Sequence, residues 1–233
     1  LIGGTACDIA LGAAGIAYRG TKDLDIVLCI EALEREFCEE LLMFIKDAGY
    51  IHQEKSTGKE IFYRFFEPTD DSFPFMLELF SRKPDVIVLA EGSHLTPIPA
   101  DAPGISLSAI LLDDECYELI QSMKVEVDGL SVAGADLLIP LKAVAWVRQT
   151  KRRDSGEDVH ENDIRKHRND VFRLYQVISP GDRVVIPGSL KEEMRSFIEA
   201  AESDGSIDLK SLGIRGTSVS EVCSRLREVY GID

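Results

Sequence analysis

Before residue 135 the apolar positions come mostly in short alternating or continuous runs, and after it they recur with helical spacing. DLDIVLCI (23–30), EIFYRFF (60–66), FPFMLELF (73–80) and DVIVLA (85–90) are rich in β-branched and aromatic residues and bounded by Pro, Asp or Gly, which predicts strands. KVEVDGLSVAG (124–134) alternates around Asp128-Gly129, a pair suited to the positive φ of a two-residue turn, and predicts a hairpin. Residues 31–48, EALEREFCEELLMFIKDA, set Leu33, Phe37, Leu41, Phe44 and Ile45 on one helical stripe that Gly49 stops. The opening LIGGTACDIALGAAGIAYRG reads as a strand end, a Gly3-Gly4 turn and a small-residue helix to about Ala14, closed by Gly15.

Further helices are predicted over 136–152, 158–178, 189–202 and 218–229, with SPGDRVVIPG breaking the pattern between the second and third. The sum is an α+β chain: a mixed β-sheet with packed helices over 1–135, then a helical domain over 136–233. At 233 residues, 45% hydrophobic and 29% charged, it can bury a proper core. No run reaches the ~20 apolar residues a bilayer requires, so a cytoplasmic location and no membrane partner are expected. The sequence opens at Leu1, inside a strand end and without Met, so some residues are expected to precede it. Cys7, Cys29, Cys38, Cys116 and Cys223 are scattered, odd in number and never spaced as CxxC. They are expected to be small apolar residues rather than disulfide or zinc partners.

Net charge is −15, and residues 1–135 hold 24 Asp or Glu against 10 Lys or Arg, whereas 136–233 hold 17 against 16. An acidic front half argues against duplex DNA as a partner there, since phosphate contacts need clustered cations. It suits a cation site.

Asp23-Leu24-Asp25 opens an apolar strand, and alternation sends both carboxylates to one sheet face. Two adjacent like charges are tolerated when a cation such as Mg²⁺, or Mn²⁺, sits between them with waters and phosphates. Glu78 in MLELF offers a third carboxylate, which would complete a two-metal cluster if strand 73–80 lies beside strand 23–30. The competing reading of Glu78 is a surface ion pair with Arg64 or Arg82. The Gly3-Gly4 turn opening a helix, with Thr5 beside it and Arg19 and Thr21 just before the acidic strand, supplies amides and hydroxyls for a phosphate.

GGTA, RGTKDLDIVL and MLELF together resemble the nucleotidyltransferase superfamily, with spacing most like the AbiEii-type toxin nucleotidyltransferases. The likeness covers most of residues 1–170 and is most specific in the first 30. It implies a nucleoside triphosphate held through two Mg²⁺, with Gly3, Gly4, Asp23, Asp25 and Glu78 in the superfamily's roles, although the third carboxylate is Glu where Asp is more usual. The implied activity is transfer of a nucleoside monophosphate from an NTP to an acceptor: RNA, protein or small molecule. An antitoxin partner would accompany a toxin role. The alternative is a nucleotide- or partner-binding module on the same fold, without transfer.

LIPLKAVAWVRQTKRRD and KHRNDVFRL are similar to the Lys helix and downstream basic-acidic motif of the AbiEii-like proteins. Lys142 is the preferred triphosphate ligand, with a snorkelling Lys as its competitor. Lys166, His167 and Asp170 lie within one turn, and His167 with Asp170 reads as a helix-stabilising pair. Lys151-Arg152-Arg153 reads as a solvated helix end or an RNA contact, and Trp146 as core. His52, His94 and His160 have no ligand spacing.

Overall fold

The computed structural model describes residues 1–53, 60–85, 87, 89, 93–98 and 107–232. The chain divides into two units: Leu1–Thr5, Gly20–Ser122 and Val127–Ser131 form the first, and Ala6–Arg19, Met123–Glu126 and Val132–Asp233 the second. Val132, the last crossing, lies close to the boundary expected near 135, but the segment Ala6–Arg19 belongs with the second unit. The described residues are α+β, with a mixed sheet and seven α-helices. No helix among them is long and apolar enough to cross a membrane.

In the first unit β1 (Asp23–Val27) runs parallel to β3 (Met76–Ser81). β2 (Arg64–Phe66) is antiparallel to the first half of β3, β5 (Ser108–Leu111) is parallel to its end, and β4 (Leu95–Pro97) is antiparallel to β5. Parallel neighbours need a crossover, and the one between β1 and β3 contains α2 (Arg35–Asp47). Alternation along β3 buries Leu77 and Leu79. Leu24 and Ile26, in register with them, pack against the same cluster, which also holds Leu28, Cys38, Ile45, Tyr50 and Phe65. Polar positions of both strands therefore share the other face.

Of the stripe expected over 31–48, Leu33, Leu41 and Ile45 pack in or against this cluster, whereas Phe37 and Phe44 do not. Residues Ile30–Ala32 make a 3-10 turn, α2 starts only at Arg35, and its buried positions are Cys38 and Ile45. Phe37 and Phe44 are exposed, the latter meeting Phe73 edge-on at 5.4 Å. Of the strand expected over 85–90, residues 86, 88 and 90 lie outside the described residues, and Asp85, Ile87 and Leu89 carry no strand. Among the described strands and α-helices, β4, β5 and α3 (Asp114–Met123) had no sequence expectation. The hairpin is found, with β6 (Lys124–Val127) and β7 (Leu130–Ala133) joined by Asp128 at φ 51° and Gly129 at φ 79°.

The second unit is helical. α4 (Ala135–Asp154) packs on α5 (Glu161–Tyr175) and α6 (Gly188–Ser203), and α6 packs on α7 (Val219–Tyr230). From α1 (Gly3–Ala13) this unit takes Ala6, Cys7 and Leu11, all without exposed surface. All five cysteines are free thiols, and Cys29 alone is only half-buried.

Pro140 lies inside α4 and has no N–H for the Asp136 carbonyl one turn earlier. The phenol of the fully buried Tyr230 supplies the missing donor, 2.8 Å from that carbonyl. Removing the hydroxyl would leave this part-buried carbonyl without its donor, so Tyr230→Phe is expected to lose about 1 kcal/mol in urea denaturation. An unchanged midpoint would show that this bond contributes nothing.

Candidate functional site

The N-terminal residues of the first unit are laid against β1. The Ile2 N–H donates to the Asp25 carbonyl at 3.0 Å, and α1 begins at the next residue, Gly3, with φ at +73°. A Cβ on Gly3 would lie 1.6 Å from Asp25 Oδ2, so only glycine lets backbone and carboxylate approach this closely. A Cβ on Gly4 would lie 3.0 Å from Thr21 Oγ1. The Thr5 hydroxyl donates to the Asp23 carbonyl at 2.6 Å, and the Asp23 N–H donates to Thr21 Oγ1 at 3.4 Å. Gly3, Gly4, Thr5, Thr21, Asp23 and Asp25 thus meet at the start of β1. The Asp25 carboxylate stands at the first turn of α1, where the helix dipole favours negative charge.

Glu78 stands opposite Asp25 in the parallel register of β1 and β3. It also stands opposite Arg64 in the antiparallel register of β2 and β3. The guanidinium takes its carboxylate: Nε and Nη2 of Arg64 reach Glu78 Oε1 at 2.6 and 2.5 Å. Cross-strand neighbours lie within easy side-chain reach, which is why Arg64 rather than Arg82 is the partner. Arg82 instead binds Glu31 and Asp85, each at 2.8 Å. Burial pushes the Glu31 carboxyl up, but its bonds from Tyr117 and Arg82 outweigh this and bring it down to about 2. Among the described residues no group of three His, Cys, Asp or Glu side chains is placed to hold a metal ion.

Two residues expected at the phosphates, Arg19 and Lys142, belong to the second unit, and both turn to Asp170. That carboxylate has no exposed surface. The Tyr18 hydroxyl donates to its Oδ2 at 2.8 Å, Arg19 Nη2 lies at 3.2 Å and Lys142 Nζ at 3.6 Å, while Arg173 Nη1 is 3.4 Å from Oδ1. Lys142 is itself buried, so it does not snorkel. The hydrogen bonds of Asp170 go to these groups and not to His167, whose Nε2 lies 3.1 Å from Gln149 Nε2. The helix pair expected of His167 and Asp170 is corrected accordingly, because Tyr18 and Arg19 are about 150 residues distant in sequence. Lys166 pairs with Asp163 at 2.8 Å.

Three cations around one carboxylate leave this cluster with an excess of positive charge. Burial works against the Arg19 charge, yet Asp170 holds its pKa above the ordinary value. Arg19 Nε is buried without a hydrogen-bond partner among the described residues. Burial raises the neighbouring Cys7 thiol to about 11, so it stays protonated and inert as a nucleophile. The burial of Asp170 had no expectation from the sequence. The apolar neighbours Val171, Phe172 and Leu174 were the available signal, since they mark that side of α5 as interior.

No protein-family model, no curated protein and no solved structure matches this chain.

Proposed function

We propose that the chain is a metal-dependent nucleotidyltransferase in which Asp23 and Asp25 hold a divalent cation against the phosphates of an NTP. The observation that carries this reading is the register of β1 on β3, which sets Asp25 beside Glu78, with Asp23 on the same face two residues earlier. Hard carboxylate oxygens suit Mg²⁺ or Mn²⁺, so the two aspartates are donors of the right chemistry, and Glu78 would join them only if Arg64 released its carboxylate. Such a cation supplies charge neutralisation at the transferred phosphoryl group and a more acidic acceptor hydroxyl. The protein's own part is to hold the two aspartates apart from the buried core and to bring Gly3, Gly4 and Thr5 against them. RNA, protein and small molecules are all candidate acceptors.

The test uses an α-labelled NTP with Mn²⁺. Metal-dependent binding and label transfer are expected, each lowered at least about ten-fold by Asp23→Ala. Absence of both sinks the proposal. Tight metal-dependent binding without transfer to any acceptor selects the non-catalytic module instead, a reading favoured by the grip of Arg64 on Glu78. On the transferase reading a toxin role with an antitoxin partner follows as a further proposal. Growth arrest on expression, relieved by Asp23→Ala, is its expected sign.

A further inference from the structure

In the first unit, α2 turns Cys38 and Ile45 into the core beneath the helix, and Leu41 packs partly against it. Spacings of four and three residues set Phe37, Leu41 and Phe44 along one stripe two helical turns long. Leu41 is its inner member, but Phe37 and Phe44 leave 44% and 38% of their surface open. Met43, further out on the same helix, is 62% exposed. Apolar residues exposed singly need no explanation, whereas a row of them along one helix marks an interaction surface.

Carboxylates border this row on both sides. Spacings of four, three and four residues put Glu36, Glu40, Met43 and Asp47 on the adjoining outer stripe of α2. Those three acidic side chains are exposed and have no ion pair among the described residues, whereas Glu39 is held by Arg35 at 2.7 Å. On the other side, segment 67–75 lies along the C-terminal end of α2. The Thr69 N–H and hydroxyl donate to the Ala48 carbonyl at 2.9 and 3.0 Å, and Phe73 meets Phe44 edge-on at 5.4 Å. This segment brings the exposed Asp70 and Asp71 and no cation. Residues 34–48 and 67–75 together hold eight Asp or Glu against two Lys or Arg, so the margins are strongly negative.

An apolar row between two acidic margins selects its ligand by charge. Anionic lipid surfaces and nucleic acids are repelled, and a second copy docking through the same face would bring the same carboxylates. A helix with apolar residues at i, i+4 and i+7, flanked by Lys or Arg, matches both the length of the row and its margins. We infer that α2 and segment 67–75 dock a basic amphipathic helix of a partner protein. Its apolar side sits on Phe37 and Phe44, and its cations face Glu36, Glu40, Asp47, Asp70 and Asp71. None of these residues is among those assigned to the cation and the NTP, so the inference stands apart from the transfer reaction proposed above.

The test titrates the whole chain into a fluorescein-labelled Leu/Lys peptide of about four helical turns, with Leu at helical spacing, and follows anisotropy near physiological ionic strength. The controls are a peptide of the same composition in scrambled order and one with Glu in place of every Lys. Saturable binding of the first peptide is expected, with both controls at least about ten-fold weaker. Phe37→Ser is expected to weaken it about ten-fold at an unchanged thermal midpoint. Glu36→Gln, Glu40→Gln and Asp47→Asn combined should weaken it by a similar factor and flatten its salt dependence. Hydrogen exchange of the unsubstituted chain locates the contact independently of any variant, and the peptide should slow it in α2 and 67–75. Equal binding of the scrambled peptide would reveal charge alone at work and overturn the inference. So would slowed exchange confined to other segments, or an unaltered affinity in a folded Phe37→Ser chain. A free chain that is dimeric, and that Phe37→Ser makes monomeric, would give the face to a second copy and overturn it as well.

Discussion

Asp170→Ala is expected to lower the stability of the second unit by about 3–5 kcal/mol, read as a shift in its denaturant midpoint. The carboxylate is fully buried and receives Tyr18, Arg19, Lys142 and Arg173. Truncation leaves the Lys142 ammonium, only 7% exposed, inside the protein with no counter-charge. That uncompensated charge, more than the loss of any one hydrogen bond, sets the size of the effect. Asp170→Asn keeps the shape and the Tyr18 contact but not the charge, so it should lose less. Adding Lys142→Met to the alanine variant should restore part of the stability, because removing both partners of a buried pair is often nearly neutral. A double variant no better than Asp170→Ala would show that packing, not charge, is what the substitution breaks.

Acidification provides the second large effect. Burial, and then the nearby Lys142, hold His167 at about 4 against an ordinary 6.5, so the folded chain keeps it neutral. Above pH 6.5 the ring is neutral in both states and contributes no pH dependence. Below that value the unfolded chain takes up a proton that the folded chain refuses. Stability therefore falls between the two values given for this residue, 6.5 and about 4, by about 3 kcal/mol in all, and no further below. Carboxylates held below their ordinary range, among them Glu31, Glu202 and Asp204, lose their contribution only at lower pH. The interval from pH 6.5 to 5 thus isolates the histidine. Denaturation midpoints of the wild type and His167→Gln across that interval should diverge, the variant being flatter, and parallel curves would dismiss the assignment.

Features set by local spacing were legible in the sequence. Asp128-Gly129 implied positive φ at consecutive positions, and α4, α6 and α7 follow from apolar spacing bounded by Pro, Gly and Ser. Asp23 and Asp25 were readable as a same-face pair because alternation needs only the strand itself. Features that depend on distant partners were not legible. The strands β4 and β5, of three and four residues, are too short to show a period and are held by their neighbours. α3 ends at Met123 where β6 starts at Lys124, with no Gly or Pro to mark the junction. The engagement of Lys142 with Asp170 depends on helix packing, which spacing within one helix cannot reveal.

The membership of Ala6–Arg19 in the second unit also sets an order on the ribosome. Cys7 and Leu11 are wholly enclosed, and Tyr18 bonds to a residue 152 positions later. At typical elongation rates, roughly 10 to 30 s pass between synthesis of that segment and of its partners. During that interval the first unit has its whole sheet available, whereas Ala6–Arg19 waits with its apolar side chains unburied. The stretch translated earlier is thus the one whose docking finishes later, and chaperone occupancy on the nascent chain should concentrate there.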